Sequence, residues 1–437
     1  MKRRTFFKYT LPSLVVPALL GGFKMKAFAG SPLMQGLIGS ENNGRVLVVI
    51  QLAGGNDGLN TVIPIEYYGA YKNARSNIAI AEEKILKLNG IDKTGLNPAM
   101  VGLQQLFNDD KLAIVQAVSY PKPSFSHFRA TDIWLTGEES NQDINTGWMG
   151  RYLNQLYPDF PKNYPNSTMP DPLAIQIGSV VSPGLQGPSF PMAMAISNPD
   201  SFYNMLNEKR SDETRSISQD QIEFIRQVSE KTDAYADVIK AAAKKVTKQS
   251  DKYLDKGKNS LSDQLKIVSR LIAGGLQTKI YMVSIGSFDT HAKQTEADDT
   301  TKGNHANLLQ KVSEAIYAFQ DDLKMQGIED RVVGMTFSEF GRRIRSNDSG
   351  GTDHGVGAPV FVFGKPVRSG IIGNNPVIPD KVTVNDNIAM QNDFRAVYTT
   401  LLKNWLGTSS TNVPDILQKD FEVLPIIKTV SSFNSVT

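Results

Sequence analysis

Cysteine is absent from this 437-residue chain. Its absence excludes disulfide bonds, thiolate metal ligands and lipid attachment at a cysteine. Histidine is also scarce, with four residues in the whole sequence. A chain of this length without crosslinks must draw its stability from a hydrophobic core. Any metal site must combine these few imidazoles with carboxylates.

The sequence also lacks a long apolar run. The apolar N-terminal stretch Tyr9–Phe23 is interrupted by prolines and glycines and falls short of the ~20 residues that a membrane-spanning helix needs. It follows a basic start that contains Arg3-Arg4, and Ala27-Phe28-Ala29 supplies a small-x-small cleavage pattern. These features predict a twin-arginine signal peptide over residues 1–29, with the mature chain starting near Gly30. An uncleaved membrane anchor is the alternative.

A strong charge of either sign is missing from the rest of the chain. Residues 1–29 hold six basic and no acidic residues, so the remainder has 41 basic against 44 acidic residues. This balance predicts no nucleic-acid partner. We expect the twin-arginine export machinery as a partner, a periplasmic or extracellular location, and no stable membrane anchor after cleavage.

Short β-branched apolar runs alternate with helical patterns along the sequence. A helix is predicted over His305–Met325, where apolar residues recur at helical spacing. The alternation predicts an α/β fold in which a mostly parallel sheet has helices on both faces. The predicted buried strands are Arg45–Leu52, Leu112–Ala117, Lys279–Ile285, Val332–Phe337 and Val360–Phe363.

The sequence predicts a single α/β domain over residues 45–425, and three further segments lie within it. Residues 155–205 are predicted to be irregular, with hairpin-like runs at Leu173–Ile177 and Pro191–Ile196. Residues 213–276 predict two long helices joined near residue 256, and both segments are interpreted as insertions or a cap. An amphipathic helix is predicted over Asp393–Gly407.

Polar residues follow the predicted strands. Asp57 follows the first strand, Asp289 follows the run that ends at Ile285, and Ser338-Glu339 follows the run that ends at Phe337. Because parallel sheets bind ligands beyond the carboxyl ends of their strands, we expect these side chains at one edge.

Two acid-histidine motifs join this set. They are Asp289-Thr290-His291 and Asp353-His354, and Asn304-His305 lies between them. Imidazole nitrogen and carboxylate oxygen hold zinc and other divalent cations. With Asp57 and Glu339, these motifs predict a divided metal site.

Three candidate site residues, Asp57, Ser126 and Arg342, each have two possible interpretations. Asp57 lies in a Gly-Gly-Asn-Asp-Gly run that is also typical of an ordinary turn. Ser126, at the start of the Ser126–Gly137 helical pattern, would either cap the helix or act as a nucleophile. Arg342 would either form a local ion pair with Glu339 or bind an anionic substrate.

The chain resembles the exported domain-of-unknown-function family 1501. The resemblance spans about Arg45–Gly407 and rests on Gly54–Thr61, Ser126–Gly137, Asp289-Thr290-His291, Ser338-Glu339-Phe340-Gly341-Arg342 and Gly351-Thr352-Asp353-His354-Gly355. That family is similar to a divergent branch of the superfamily of alkaline phosphatases, sulfatases and cofactor-independent phosphoglycerate mutases. The resemblance implies a three-layer architecture of the alkaline phosphatase type.

The resemblance also implies roles for individual residues. Asp57, Asp289, His291, Glu339, Asp353 and His354 form the pool of metal ligands. Ser126 takes the place of the nucleophile, and Arg342 would stabilise charge. Glu339 stands where the superfamily has an Asp-His pair, so the number of metal ions, one or two, stays open. Alternatively, Asp353-His354 is that pair and His305 supplies the missing ligand.

The expected function is metal-dependent hydrolysis or transfer of a phosphate or sulfate ester, with zinc, magnesium, calcium or manganese as the ion and an anionic ester as the substrate. The alternative is a noncatalytic envelope protein that keeps the fold and binds a partner with its polar edge. A third interpretation treats the acids and histidines as parts of scattered structural turns.

Overall fold

The computed structural model describes residues 44–197 and 235–428. The predicted signal peptide and residues 213–234 of the predicted helical segment lie outside these ranges. Within them, the strands are β1 (Val46–Leu52), β2 (Val62–Pro64), β3 (Leu86–Leu88), β4 (Ile91–Leu96), β5 (Leu112–Ser119), β6 (Ala174–Ile177), β7 (Met194–Ile196), β8 (Ile280–Ile285), β9 (Val332–Phe337), β10 (Gly341–Arg342), β11 (His354–Gly355), β12 (Ala358–Phe363), β13 (Gly370–Ile372) and β14 (Asn392–Asp393).

Helices cover the main sheet and connect its strands. The α-helices with defined bounds are α1 (Gly58–Thr61), α2 (Tyr68–Ala74), α3 (Val101–Asn108), α4 (His127–Thr136), α5 (Trp148–Leu156), α6 (Ser260–Ala273), α7 (Asn304–Met325), α8 (Phe394–Thr400) and α9 (Val413–Leu417). Residues 235–245 are also helical. None of the helices in the described ranges is long and apolar enough to cross a membrane.

The main sheet is mostly parallel, as predicted. Its strand order is β13-β5-β12-β9-β1-β8-β6-β7, with β14 paired to β5. Strand β1 pairs in parallel with β8 and β9, whereas β12 is antiparallel to both of its neighbours, β5 and β9. Strand β5 therefore runs in the same direction as β1. The carboxyl ends of β1, β5, β8 and β9 consequently lie at one edge of the sheet, and β12 begins there.

Each face of the sheet packs against its own set of helices. Alternate residues of β1 point to opposite faces, as strand geometry requires. Val48 and Ile50 pack in one core cluster with apolar residues of α3, α6 and α7. Leu47 and Val49 pack in a second cluster with residues of α4, α5 and α8. The structure thus confirms an α/β fold with helices on both faces.

Several local predictions need correction. The runs predicted as hairpin-like form β6 and β7, which pair in parallel with each other within the main sheet. A crossover therefore joins them in place of a tight turn. The predicted C-terminal helix is α-helical over Phe394–Thr400 and continues as a π-helix over Leu401–Trp405. The helical residues 235–245 end well before α6 begins, so the predicted short join is a longer non-helical segment.

Candidate metal centre

The side chains of the candidate site come from four loops at the carboxyl edge of the sheet. His127 opens α4 after β5, Asp289 and His291 follow β8, and Glu339 follows β9. His354 lies in β11, just before the reversed strand β12. Because β12 begins where its neighbours end, His354 reaches the same edge. The fold thereby brings together residues that are distant in the sequence.

Three imidazoles meet at the Asp289 carboxylate. The Nε2 atoms of His291 and His354 each lie 3.2 Å from Asp289 Oδ1. The Nε2 atom of His127 lies 3.4 Å from Asp289 Oδ2. His291 Nε2 and His354 Nε2 are themselves 2.9 Å apart. We call these four residues the histidine cluster.

The other nitrogen of each ring faces an oxygen acceptor. His354 Nδ1 lies 2.9 Å from the carbonyl oxygen of Phe125. His291 Nδ1 lies 3.1 Å from Asp353 Oδ1, and His127 Nδ1 lies 3.0 Å from Glu339 Oε1. A ring that donates from Nδ1 presents the lone pair of Nε2 to the cluster. Metal-binding histidines are oriented in this way by carboxylates and backbone carbonyls.

The spacing of these atoms fits a metal ion. Zinc bonds of about 2.0–2.1 Å in a tetrahedral arrangement place the ligand atoms roughly 3.3 Å apart, close to the observed separations. One ligand atom from each of His127, Asp289 and His354 lies within 4.8 Å of the other two. Two imidazole lone pairs at 2.9 Å repel each other unless a proton or a cation lies between them. The residues present therefore fit a divalent cation.

Glu339 provides a further sign of a ligand. Its buried Oε1 accepts a hydrogen bond from the backbone N–H of Gly54 at 2.7 Å. Its Oε2 is also buried, yet it has no hydrogen-bond partner in the described part of the chain. Because an unpaired buried carboxylate oxygen is costly, this atom is suited to a bound group.

The local electrostatics favour the charge states that bind metals. Burial alone would raise the pKa of Asp289, but the hydrogen bond and charge of Arg342, together with His354 and His291, hold that pKa below its ordinary value. Burial lowers the pKa of His354. A carboxylate and a neutral imidazole are the forms that ligate a metal.

Glycines allow the loops to approach one another. A Cβ atom at Gly54 would lie 2.4 Å from the backbone nitrogen of Asp289, and Gly54 has a φ of +123°. A Cβ atom at Gly351 would lie 2.4 Å from the carbonyl oxygen of His291. Both distances are too short for a side chain, so these two glycines permit the close packing behind the histidine cluster.

Asp57 lies apart from the histidine cluster. Its carboxylate is fully buried and receives Arg75 Nη1 at 2.7 Å and 2.9 Å on its two oxygens. Gln294 donates a further hydrogen bond at 2.6 Å. The sequence-based assignment of Asp57 as a metal ligand is thus not matched by the geometry, because side-chain donors of the protein already occupy both oxygens.

Arg342 forms an ion pair other than the one considered from the sequence. Its guanidinium is buried and donates to Gly55 O at 2.6 Å, to Thr352 O at 2.8 Å and to Asp289 Oδ1 at 2.6 Å. Its ion pair is therefore with Asp289 rather than Glu339. Because its donors are directed to protein groups, Arg342 ties the loops together and orients Asp289.

Ser126 lies at the predicted start of the helix, and His305 lies in the core. Ser126 occupies the N-cap position of α4 but makes no side-chain capping bond within the described residues, and it is exposed. The buried His305 is held by Asn56, with 2.9 Å between Nε2 and Asn56 Oδ1. Burial lowers the pKa of His305 to about 4. His305 is therefore a neutral core histidine and not the missing ligand.

His127 is the residue of the cluster that the sequence analysis did not assign to the site. It follows Ser126 directly, at the start of the helix after β5. This position, directly after a parallel strand, is the feature of the sequence that indicates a place for His127 in the site.

A cleft of about 640 Å³ opens beside the histidine cluster. His127, Asp289 and Glu339 belong to its lining. The cleft therefore gives a ligand access to the cluster, as expected for a small-molecule site.

A mostly parallel sheet with a cluster of histidines and a carboxylate at its carboxyl edge defines an α/β protein with a candidate metal centre. The model of a family described as "Protein of unknown function (DUF1501)" matches residues 116–417, and this chain belongs to that family. No curated protein sequence matches the chain.

Three solved structures are similar to this chain at low sequence identity and low TM-scores. A protein in the alkaline phosphatase superfamily from Vibrio parahaemolyticus is 11% identical over 86% of this chain and 70% of its own, with a TM-score of 0.40. The PsFucS1 sulfatase from Pseudoalteromonas sp. is 10% identical over 87% and 73%, with a TM-score of 0.38. The lipoteichoic acid synthase LtaP from Listeria monocytogenes is 13% identical over 85% and 74%, with a TM-score of 0.36.

Proposed function

We propose that this protein is a metal-dependent hydrolase or transferase that acts on phosphate or sulfate esters. The observation that supports the proposal most strongly is the convergence of three Nε2 atoms on the Asp289 carboxylate, with each Nδ1 facing an oxygen. His127, Asp289 and His354, whose ligand atoms lie within 4.8 Å of one another, would hold the ion, and His291 lies beside Asp289 and His354. Because imidazoles outnumber carboxylates in this set, zinc or another transition metal suits it better than magnesium or calcium.

A bound divalent ion would supply Lewis acidity toward the ester and lower the pKa of bound water. In hydrolysis, water adds across the ester bond, giving an alcohol and inorganic phosphate or sulfate. Arg342 would hold the Asp289 carboxylate in place. Glu339 Oε2, the unpaired acceptor, would accept a hydrogen bond from the attacking water or hydroxyl group. The cleft would hold the organic part of the ester.

Metal analysis of the purified protein tests this proposal. Elemental analysis after purification without chelators or an added histidine tag should find about one equivalent of a divalent metal in the wild type. The His354→Ala variant should lose it, together with any esterase activity on aryl phosphates or sulfates. His305→Gln is the matched control, because it removes a histidine outside the cluster and should keep the metal. Absence of metal from the wild type, even after metals are added back, would refute the proposal.

One observation favours a noncatalytic binding protein as the second candidate. Ser126, the residue in the place of the superfamily's nucleophile, is exposed and does not belong to the lining of the cleft. A metal-loaded wild type that releases no product from aryl phosphates or sulfates would favour this candidate.

We also propose export by the twin-arginine route, supported by Arg3-Arg4 and the Ala27-Phe28-Ala29 pattern. N-terminal sequencing of the exported protein should find a start near Gly30. Retention of the full chain in the cytoplasm would refute this location.

A further inference from the structure

The cleft beside the histidine cluster has a floor and two walls with different chemistry. Its floor includes Gln51, Met282 and Gln176 from β1, β8 and β6. The strands pair Gln176 with Met282 in register, so both side chains lie on one face of the sheet.

One wall is a single face of α4. Phe128, Thr131, Asp132 and Leu135 recur at helical spacing along it and all line the cleft. The second wall is the segment 180–183. At the mouth, Phe128 is 87% exposed and Val180 is 75% exposed. Two large apolar side chains left in solvent at the rim of a cleft favour an apolar ligand surface.

The charges of the cleft are unbalanced. Asp132, Asp289 and Glu339 line it, whereas the described lining residues include neither lysine nor arginine. The buried Arg342, which is not a lining residue, pairs with Asp289. Beyond the histidine cluster and Glu339, a negatively charged ligand group would meet the Asp132 carboxylate and no lysine or arginine of the lining, which is unfavourable.

Two of the lining residues have a buried side-chain oxygen that lacks a partner in the described ranges, Gln176 Oε1 and Glu339 Oε2. Gln176 pairs with Met282 inside β8, whereas Asp289 lies beyond the end of that strand at Ile285. At about 3.3 Å per residue, Met282 and Ile285 are already roughly 10 Å apart along the strand. A metal held by Asp289 is therefore too far away to satisfy Gln176. A buried acceptor of this kind is matched by a donor on the ligand.

We propose that the cleft binds an organic group that is apolar, carries a hydrogen-bond donor such as a hydroxyl or an ammonium, and has no negative charge. This inference rests on the proposed function for the position of the ester, which would lie at the histidine cluster. The substrate is then a monoester of an apolar alcohol or phenol. Substrates with a second anionic group are excluded.

Three probes of similar size separate a hydroxyl, an ammonium and a carboxylate ligand: 2-phenylethanol, 2-phenylethylamine and phenylacetate. They share a phenyl ring without a donor and differ in the terminal group. Their dissociation constants are measured by NMR titration of the wild-type protein. The hydroxyl or the ammonium probe should bind on the order of tenfold more tightly than the carboxylate probe. The order of the first two identifies the donor.

Two variants locate the effect. Gln176→Met keeps the approximate volume but removes the acceptor, so it should weaken binding of the better donor probe by about 2–10-fold. Asp132→Lys should improve binding of the carboxylate probe relative to the wild type. Asp251→Lys makes the same charge change at an exposed position outside the cleft, and it should have no effect. Thermal melting verifies that each variant is folded.

The outcomes separate this inference from the metal hypothesis because the probes carry no ester. Three results would overturn the inference, even in a protein that holds metal. They are equal or tighter binding of the carboxylate probe, failure of all three probes to bind at millimolar concentration, and unchanged binding in both cleft variants. The predicted order of affinities in both the wild type and His354→Ala would support it, even if elemental analysis finds no metal.

Discussion

Removal of the Arg75 side chain should destabilise the protein severely. The side chains of Asp57 and Arg75 are 1% and 0% exposed, with 2.7 Å between Asp57 Oδ2 and Arg75 Nη1. In Arg75→Leu the carboxylate would keep Gln294 as a hydrogen-bond donor but lose its counter-ion. Loss of one partner from a buried ion pair costs about 3–5 kcal/mol. The variant also loses the hydrogen bonds from Arg75 to the carbonyl oxygens of Arg343 and Ile344.

The free energy of unfolding is measured in urea by circular dichroism for Arg75→Leu, Asp57→Asn and the double variant. The double variant should lose less than the sum of the two single variants, because it leaves no unpaired buried charge. A loss below about 1 kcal/mol in Arg75→Leu would refute the buried ion pair.

The pH dependence supplies an independent check. Burial would raise the pKa of Asp57, but Arg75, His305 and Gln294 together hold it below its ordinary value. In the wild type, the contribution of Asp57 is therefore present above its unfolded-state pKa and is lost as the pH falls through the folded-state value. Without Arg75, burial should raise that pKa, so acidification stabilises the variant as Asp57 takes up a proton. The difference in the free energy of unfolding between the wild type and Arg75→Leu should become smaller toward pH 4. A constant difference would contradict this reasoning.

Asp57→Asn also tests the alternative role of this residue. Because Asp57 is paired with Arg75 away from the histidine cluster, this variant should retain its metal if it remains folded. Loss of metal from a folded Asp57→Asn protein would restore Asp57 as a ligand.

Two further predictions concern the surroundings of the site. The buried His305 has a pKa lowered to about 4, so the wild type should lose about 3 kcal/mol of stability as the pH falls from 6.5 to 4. In urea unfolding at the two pH values, His305→Gln should lack this part of the loss. The same loss in both proteins would contradict the assignment of His305 as a neutral buried histidine. Asp353→Asn replaces the carboxylate that lies 3.1 Å from His291 Nδ1, and it should weaken metal affinity about 10–100-fold in competition with a chelator. Asp298→Asn, an exposed control outside the cluster, should leave the metal affinity unchanged. Equal metal affinities in the wild type and both variants would show that Asp353 does not orient His291.

The main strands could be predicted because each is a local run of apolar residues. Val332–Phe337 is buried along its length, and Val46–Leu52 is buried except at Gln51. Such runs can be recognised without any knowledge of their partner strands. Positions at strand ends likewise pointed to Asp289 and Glu339. The parallel pairing of β6 with β7 was not predicted, because both segments are short. So few residues do not indicate whether two strands pair in parallel or antiparallel.

The sequence by itself determined the alternation of strands and helices, the lack of crosslinks and the polar residues at the strand ends, because these depend on neighbouring residues. Only the tertiary structure decided which of those polar residues share a site. The direction of β12 brings His354 to the cluster, the start of α4 brings His127, and Arg75 pairs with Asp57. Contacts between distant segments depend on how the whole sheet is assembled, so local spacing cannot distinguish a metal ligand from one half of a buried ion pair.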